Sequence, residues 1–123
     1  KWKNKYGVEY LGHFDDIREA IKLCSVFVLL SYNEGTPRSV LEAMAMGRPI
    51  LTTDVSGCKE TVVDGKNGFL AKVKDPISAS DLMKNFLTKE TRISLGNQSR
   101  SMCEVKYDVN KVNKILLQQM NIY

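Results

Sequence analysis

Residues 26–47 read VFVLLSYNEGTPRSVLEAMAMG, and the order of signals in this stretch decides the fold. Val26-Phe27-Val28-Leu29-Leu30 is an unbroken apolar run rich in β-favouring side chains. Such a run suits a strand covered on both faces, as in a parallel sheet. Ser31 to Gly35 is then a polar loop. Thr36 and Pro37 start a helix by two independent rules, a hydroxyl side chain at the N-cap and a proline at the first helical position. The helix runs through Val40 to Met46 and stops at Gly47, with Pro49 just beyond. Ile50-Leu51-Thr52-Thr53 follows as the next strand. Strand, loop, capped helix and strand in quick succession form a βαβ unit, which requires a parallel sheet.

Working outward, Val8-Glu9-Tyr10-Leu11 reads as a short strand ending at Gly12. Asp15 or Asp16 caps a helix whose apolar positions Ile17, Ala20, Ile21 and Cys24 lie three and four apart. Downstream, Lys59 and Glu60 start a short helix. Asp64-Gly65 and Asn67-Gly68 are turn dipeptides leading into a strand from Phe69 to Val73. From Pro76 on, the pattern predicts three helices, at about 76–87, 89–104 and 108–121. The fold class is therefore α/β: a parallel-sheet, Rossmann-like three-layer domain with additional C-terminal helices.

The chain has 123 residues, 18 Lys plus Arg against 14 Asp plus Glu, 43% hydrophobic residues and 26% charged ones. These values describe one ordinary globular domain and exclude disordered, collagen-like and disulfide-scaffold classes. The lysines are scattered rather than gathered with aromatics into a patch, so no nucleic-acid partner is expected. Cys24, Cys58 and Cys103 form no CxxC pair and His13 stands alone, so no metal site is expected. A reduced, cytoplasmic setting follows, with peripheral contact at the inner face of a membrane left open. No apolar run approaches the roughly 18 residues of a membrane span. The first residue is Lys1 rather than Met, which reads as a piece of something longer.

In parallel sheets ligands sit outside the carboxyl ends of the strands, which singles out the loop from Ser31 to Thr36. Gly35 lets backbone approach a ligand closely. Past Thr36 the first helical turn offers unpaired amides; Pro37 has none, so Arg38, Ser39 and Val40 are the donors, a natural seat for phosphate. Glu42 lies about 9 Å along the axis from the cap and shares a face with Ser39. A carboxylate there repels phosphate but suits a vicinal diol such as that of a ribose. Glu34, on the other side of the seat, is placed to accept from a sugar hydroxyl. Phosphate between two hydroxyl-binding carboxylates describes a nucleotide-sugar. The plainer alternative is a capped helix that binds nothing and carries an ordinary surface glutamate. Against it, Val40, Leu41, Ala43, Met44 and Ala45 make the helix apolar nearly all round, hence buried, and a buried Glu without a partner is costly.

The stretch VFVLLSYNEGTPRSVLEAMAMGRPILTTDVSGCKETV, followed by DGKNGF, closely resembles the C-terminal domain of group-one, GT-B-fold retaining glycosyltransferases. Their two glutamates separated by seven residues fall on Glu34 and Glu42, and the likeness extends from about Tyr10 to Gln118. The resemblance implies that Glu34 contacts the donor sugar, that Gly35 and the helix start Thr36, Pro37, Arg38, Ser39, Val40 and Leu41 hold the diphosphate, and that Glu42 holds the ribose. The implied reaction is hexosyl transfer with retention from a UDP- or GDP-sugar donor, in polysaccharide or surface-glycan biosynthesis, with no tightly bound cofactor. In that family the domain normally begins further upstream, with a Gly-Arg-Leu strand and a basic pair, and nothing here matches them. Residues 1–123 thus read as a single partial domain, inactive by itself, with a glycan or lipid-linked acceptor left to an N-terminal domain. A last helix at about 108–121, striped by Val109, Val112, Leu116 and Met120, packs on that domain in the family. Here it predicts a homodimer or a frayed terminus. The rival readings are a non-catalytic nucleotide-binding or protein-interaction module and a sugar-nucleotide epimerase of the same architecture. His13, Cys58 and Glu60 read as structural.

Overall fold

The computed structural model describes residues 7–32, 35 and 37–106. Its elements in chain order are α1 (Ile17–Ile21), β1 (Phe27–Leu29), α2 (Arg38–Ala45), β2 (Ile50–Thr53), β3 (Gly68–Ala71), α3 (Pro76–Met83), a 3-10 turn (Lys84–Phe86) and α4 (Lys89–Lys106). The three strands pair in the order β1-β2-β3, all parallel, with Phe27 opposite Ile50 and Ile50 opposite Gly68. This is the α/β, Rossmann-like arrangement that the sequence predicts. The expected helix at about 108–121, with its apolar stripe, lies outside the described residues.

The alternation of side chains along β2 separates two cores. Ile50 joins Ile21, Val40, Ala43, Met44 and Cys103 on one face, while Leu51 joins Ala71, Ala79, Phe86 and Leu95 on the other. On the second face the Phe69 and Phe86 rings meet edge to face at 5.5 Å. Helix α4 supplies Leu95 to one core and Cys103 to the other, so it ties the layers together. Its passage past α2 depends on a glycine pair. Gly47 ends α2 with a φ of +74°, and a Cβ on Gly96 would sit 2.2 Å from the Gly47 carbonyl oxygen.

Four expectations are corrected. Residues Val8 to Leu11 form no strand and are exposed, because no described strand lies beside them to complete a ladder. β1 is not covered on both faces: Val28 is 40% and Leu30 44% exposed. The reason is its position at the edge of the described sheet, with α3 packed over β2 and β3 instead. Lys59 and Glu60 lie in turns rather than a helix. Finally, α2 starts one residue later than expected, with Pro37 as its N-cap (φ −77°, ψ 125°) and Arg38 as its first residue. Pro37 is buried, and its carbonyl accepts from both the Val40 and Leu41 amides. Of the two candidate caps for α1, Asp16 is the one used, its side chain accepting from the Arg18 amide at 3.0 Å.

Candidate functional site

The site grows from the carboxyl end of β1. Thr52 and Thr53 of β2 fasten that end by side chain: Thr52 Oγ1 donates to the Leu29 carbonyl at 2.7 Å, and Thr53 Oγ1 both donates to the Ser31 carbonyl and accepts from the Ser31 amide. The loop from Ser31 therefore leaves the sheet from a fixed point and delivers the chain to the start of α2. Of the predicted loop residues, Glu34 and Thr36 lie outside the described residues. Gly35 is exposed, and a Cβ there would meet nothing within 4 Å.

With Pro37 as cap, the Arg38 and Ser39 amides lack an intrahelical acceptor, whereas those of Val40 and Leu41 are taken up by the Pro37 carbonyl. Among the described residues the first turn thus has two free donors, and Val40 is not one of them. Arg38 is exposed and Ser39 half-buried. Glu42 lies five residues past the cap, about 7.5 Å along the axis.

Glu42 is where the geometry is most unusual. It is 2% exposed, among Val40, Ala43 and Met44 in the first core. Its Oε2 is buried and has no hydrogen-bond partner. Its Oε1 lies 3.8 Å from Arg18 Nε, close enough for attraction but too far for a hydrogen bond. The guanidinium is held elsewhere: Nη2 donates to Asp16 Oδ2 at 2.6 Å and Nε lies 3.0 Å from both Asp16 oxygens. Burial pushes the Glu42 carboxyl above its ordinary range; Arg18 opposes that push and the Asp16 charge adds to it. The same fork holds the Asp16 carboxyl below its ordinary range. Glu42, Asp16 and Arg18 line a cavity of about 450 Å³ between α1, α2 and α4, with Arg100 on its far wall.

The structure so brings Glu42 together with two residues that sequence reasoning missed as site members. Asp16 was legible only as a cap, and Arg18 carried no signal, because the α1–α2 packing that joins them to Glu42 is tertiary. A second cavity, of about 300 Å³, opens at the carboxyl ends of the strands on the opposite face. There Lys74, at a φ of 58°, places its Nζ 5.4 Å from the Tyr32 ring centre. Among the described residues no group of three or more His, Cys, Asp or Glu is placed to hold a metal ion. No helix among them is long and apolar enough to cross a membrane. Cys58 is fully buried beside the turn after β2, and Glu60 accepts from Lys106 Nζ at its carbonyl.

A family model for glycosyl transferases group 1 matches residues 1–102. The chain belongs to that family. It is 38% identical over 108 residues to the N,N'-diacetylbacillosaminyl-diphospho-undecaprenol alpha-1,3-N-acetylgalactosaminyltransferase of Campylobacter jejuni, covering 87% of this chain and 28% of that protein. It is 32% identical over 117 residues to the N-acetyl-alpha-D-glucosaminyl L-malate synthase of Bacillus anthracis, covering 94% of this chain and 30% of that one. The chain thus spans less than a third of the length of these relatives. Among solved structures, Anabaena HepE in complex with UDP-glucose superimposes with a TM-score of 0.74 at 21% identity, over 98% of this chain and 35% of that one. That likeness establishes the GT-B relationship of the fold: this group 1 chain has the architecture of the family's C-terminal domain.

Proposed function

We propose that this chain is the donor-binding part of a glycosyltransferase that moves a hexosyl group from a nucleotide-diphosphate sugar to an acceptor hydroxyl, with retention at the anomeric carbon. The observation that carries the reading is the buried Glu42 carboxylate with its partnerless Oε2. A buried acceptor left unpaired is costly unless a ligand supplies the donor. A ribose diol supplies two, one to each carboxylate oxygen. The Arg38 and Ser39 amides at the positive end of α2 then face the diphosphate, and Glu34 takes the donor-sugar hydroxyl. In the reaction the bond between the anomeric carbon and the diphosphate oxygen breaks, the acceptor oxygen forms the new glycosidic bond, and its proton leaves to solvent or base. The α2 amides stabilise the charge that grows on the departing diphosphate.

UDP is the nucleotide we favour over GDP, because the HepE structures hold UDP or UDP-glucose in the same fold. The acceptor is a glycan or a lipid-linked precursor bound by a separate domain, the class named for the Campylobacter relative. On this reading the activity is cytoplasmic and in contact with a membrane surface. With the acceptor bound by a separate domain, residues 1–123 alone bind donor without transferring sugar. The test is calorimetric titration of the 123-residue chain with UDP, GDP and UDP-glucose. Binding that is lost in Glu42→Ala and kept in Glu60→Ala supports the reading; equal affinity in both variants refutes it.

A further inference from the structure

We propose that Arg18 is a positioning residue of this site, shared between Asp16 and Glu42, and that Asp16 sets how much of its charge reaches Glu42. The inference goes beyond the donor-binding reading and rests on it for its functional consequence. Three observations meet in it. The guanidinium lies within attraction of Glu42 Oε1 at 3.8 Å but makes no hydrogen bond to it. Among the described residues its hydrogen bonds all go to Asp16, which also uses one of the same oxygens to cap α1. Glu42 is 2% exposed while Arg18 remains about one-third exposed, at 32%. Arg18 therefore sits at the mouth of the cavity with Glu42 behind it, and acts on the ligand through Glu42.

The chemistry of diol recognition makes this arrangement consequential. An ionised carboxylate offers acceptors on both oxygens, whereas a protonated one turns an oxygen into a donor and loses half of the match to two hydroxyls. Burial favours the protonated form, and Arg18 is the cation nearest the carboxylate that opposes it. The surroundings on each side are consistent with that assignment. From α1, besides Asp16 and Arg18, Glu19 and Lys22 line the same cavity and are exposed. From α4, Arg100 is engaged with the Ala45 carbonyl and with Glu104 at 2.6 Å. The neighbouring Cys103 thiol is pushed up chiefly by its own burial and stays neutral. From the strands beneath, Phe27, Leu29, Ile50 and Leu70 face this core, and none of them carries a charge.

The geometry gives opposite signs for two substitutions. Arg18→Met removes the cation and leaves Asp16 as an uncompensated neighbouring charge. Asp16→Asn removes that charge and frees the guanidinium to turn to Glu42, while asparagine keeps the cap on α1. The experiment is a carbon-13 NMR titration of the Glu42 carboxyl in the full chain, wild type and both variants, with UDP affinity measured on the same samples. Expected is a Glu42 midpoint that rises in Arg18→Met and falls in Asp16→Asn, with UDP affinity at pH 7 weakened in the first and undiminished in the second. Unmoved midpoints, or midpoints that move the same way, overturn the proposal. Should Arg18→Met fail to fold, Asp16→Asn decides alone: a midpoint that does not fall overturns it. Midpoints that move as expected while UDP affinity ignores them uphold the role of Arg18 and refute the ribose reading of Glu42.

Discussion

Thr53 Oγ1 grips Ser31 at two points, donating to its carbonyl at 2.6 Å and accepting from its amide at 3.2 Å. A single side chain of β2 thereby replaces the next rung of the ladder just where β1 gives way to the loop. Thr53 is 3% exposed, so its hydroxyl is satisfied by these contacts rather than by water. We expect Thr53→Val to destabilise the chain by about 1–3 kcal/mol, since it removes both of these hydrogen bonds. Thr53→Ser, which keeps the hydroxyl, should cost less. Urea unfolding of the three proteins checks this, and equal midpoints for the valine and serine variants would contradict it.

The glycine pair gives a second outcome. A Cβ on Gly96 would fall 2.2 Å from the Gly47 carbonyl oxygen, a backbone atom that no rotamer change can move aside. Gly96→Ala should therefore destabilise by about 1–3 kcal/mol, the usual cost of overpacking, although alanine is the better helix former. Asn97→Ala, one position along the same helix and exposed, serves as control and should change stability by less than about 0.5 kcal/mol. Thermal unfolding separates them. An alanine at position 96 as stable as glycine would mean that α2 and α4 do not approach as closely as described.

The glutamate also leaves a mark on stability against pH. Its folded-state carboxyl titrates above the ordinary 4.5, because of burial first. The native state thus binds more protons than the unfolded one between 4.5 and the folded value, and stability falls as pH rises through that window. Asp16 works the other way and lower: the Arg18 fork holds it below 3.8, so its contribution is present above 3.8 and is lost as pH falls through the folded value. Glu42→Gln should remove the decline above 4.5, raise the melting temperature at neutral pH and abolish UDP binding. A melting curve for the glutamine variant that declines with pH as steeply as wild type would refute the assignment.

How much of this was legible in the sequence depends on the range of the interaction. The strand–loop–helix–strand core from Val26 to Thr53 follows from local rules, since an apolar run, a proline near the helix start and Gly47 at its end each act within a few residues. The burial of Glu42 was legible too, because Val40, Ala43 and Met44 crowd its helix. The start of α2 was misplaced by one residue because proline fixes φ but not ψ, and the ψ of 125° at Pro37 keeps it outside the helix. The Val8–Leu11 strand was not formed because a strand requires a neighbour, which periodicity does not show. Arg18 was illegible for the same reason: its partner Glu42 reaches it only through packing of α1 on α2.

The two free amides of α2 permit a test that separates backbone from side chain at the diphosphate seat. Arg38 is the first helical residue, the position at which proline is best tolerated, and the preceding Pro37 already holds the extended ψ of 125° that a following proline requires. Arg38→Pro therefore deletes one amide donor and a guanidinium while leaving the helix intact. Arg38→Ala deletes the guanidinium alone. The ratio of their UDP affinities isolates the amide. One hydrogen bond to a charged oxygen is worth about 1.5–3 kcal/mol, so Arg38→Pro should bind UDP roughly 10- to 150-fold more weakly than Arg38→Ala, with uridine affinity equal in the two. Thermal unfolding should show the proline variant no less stable than the alanine variant. Equal UDP affinity in the two would place the diphosphate away from the start of α2, and with it the seat between Arg38 and Glu42.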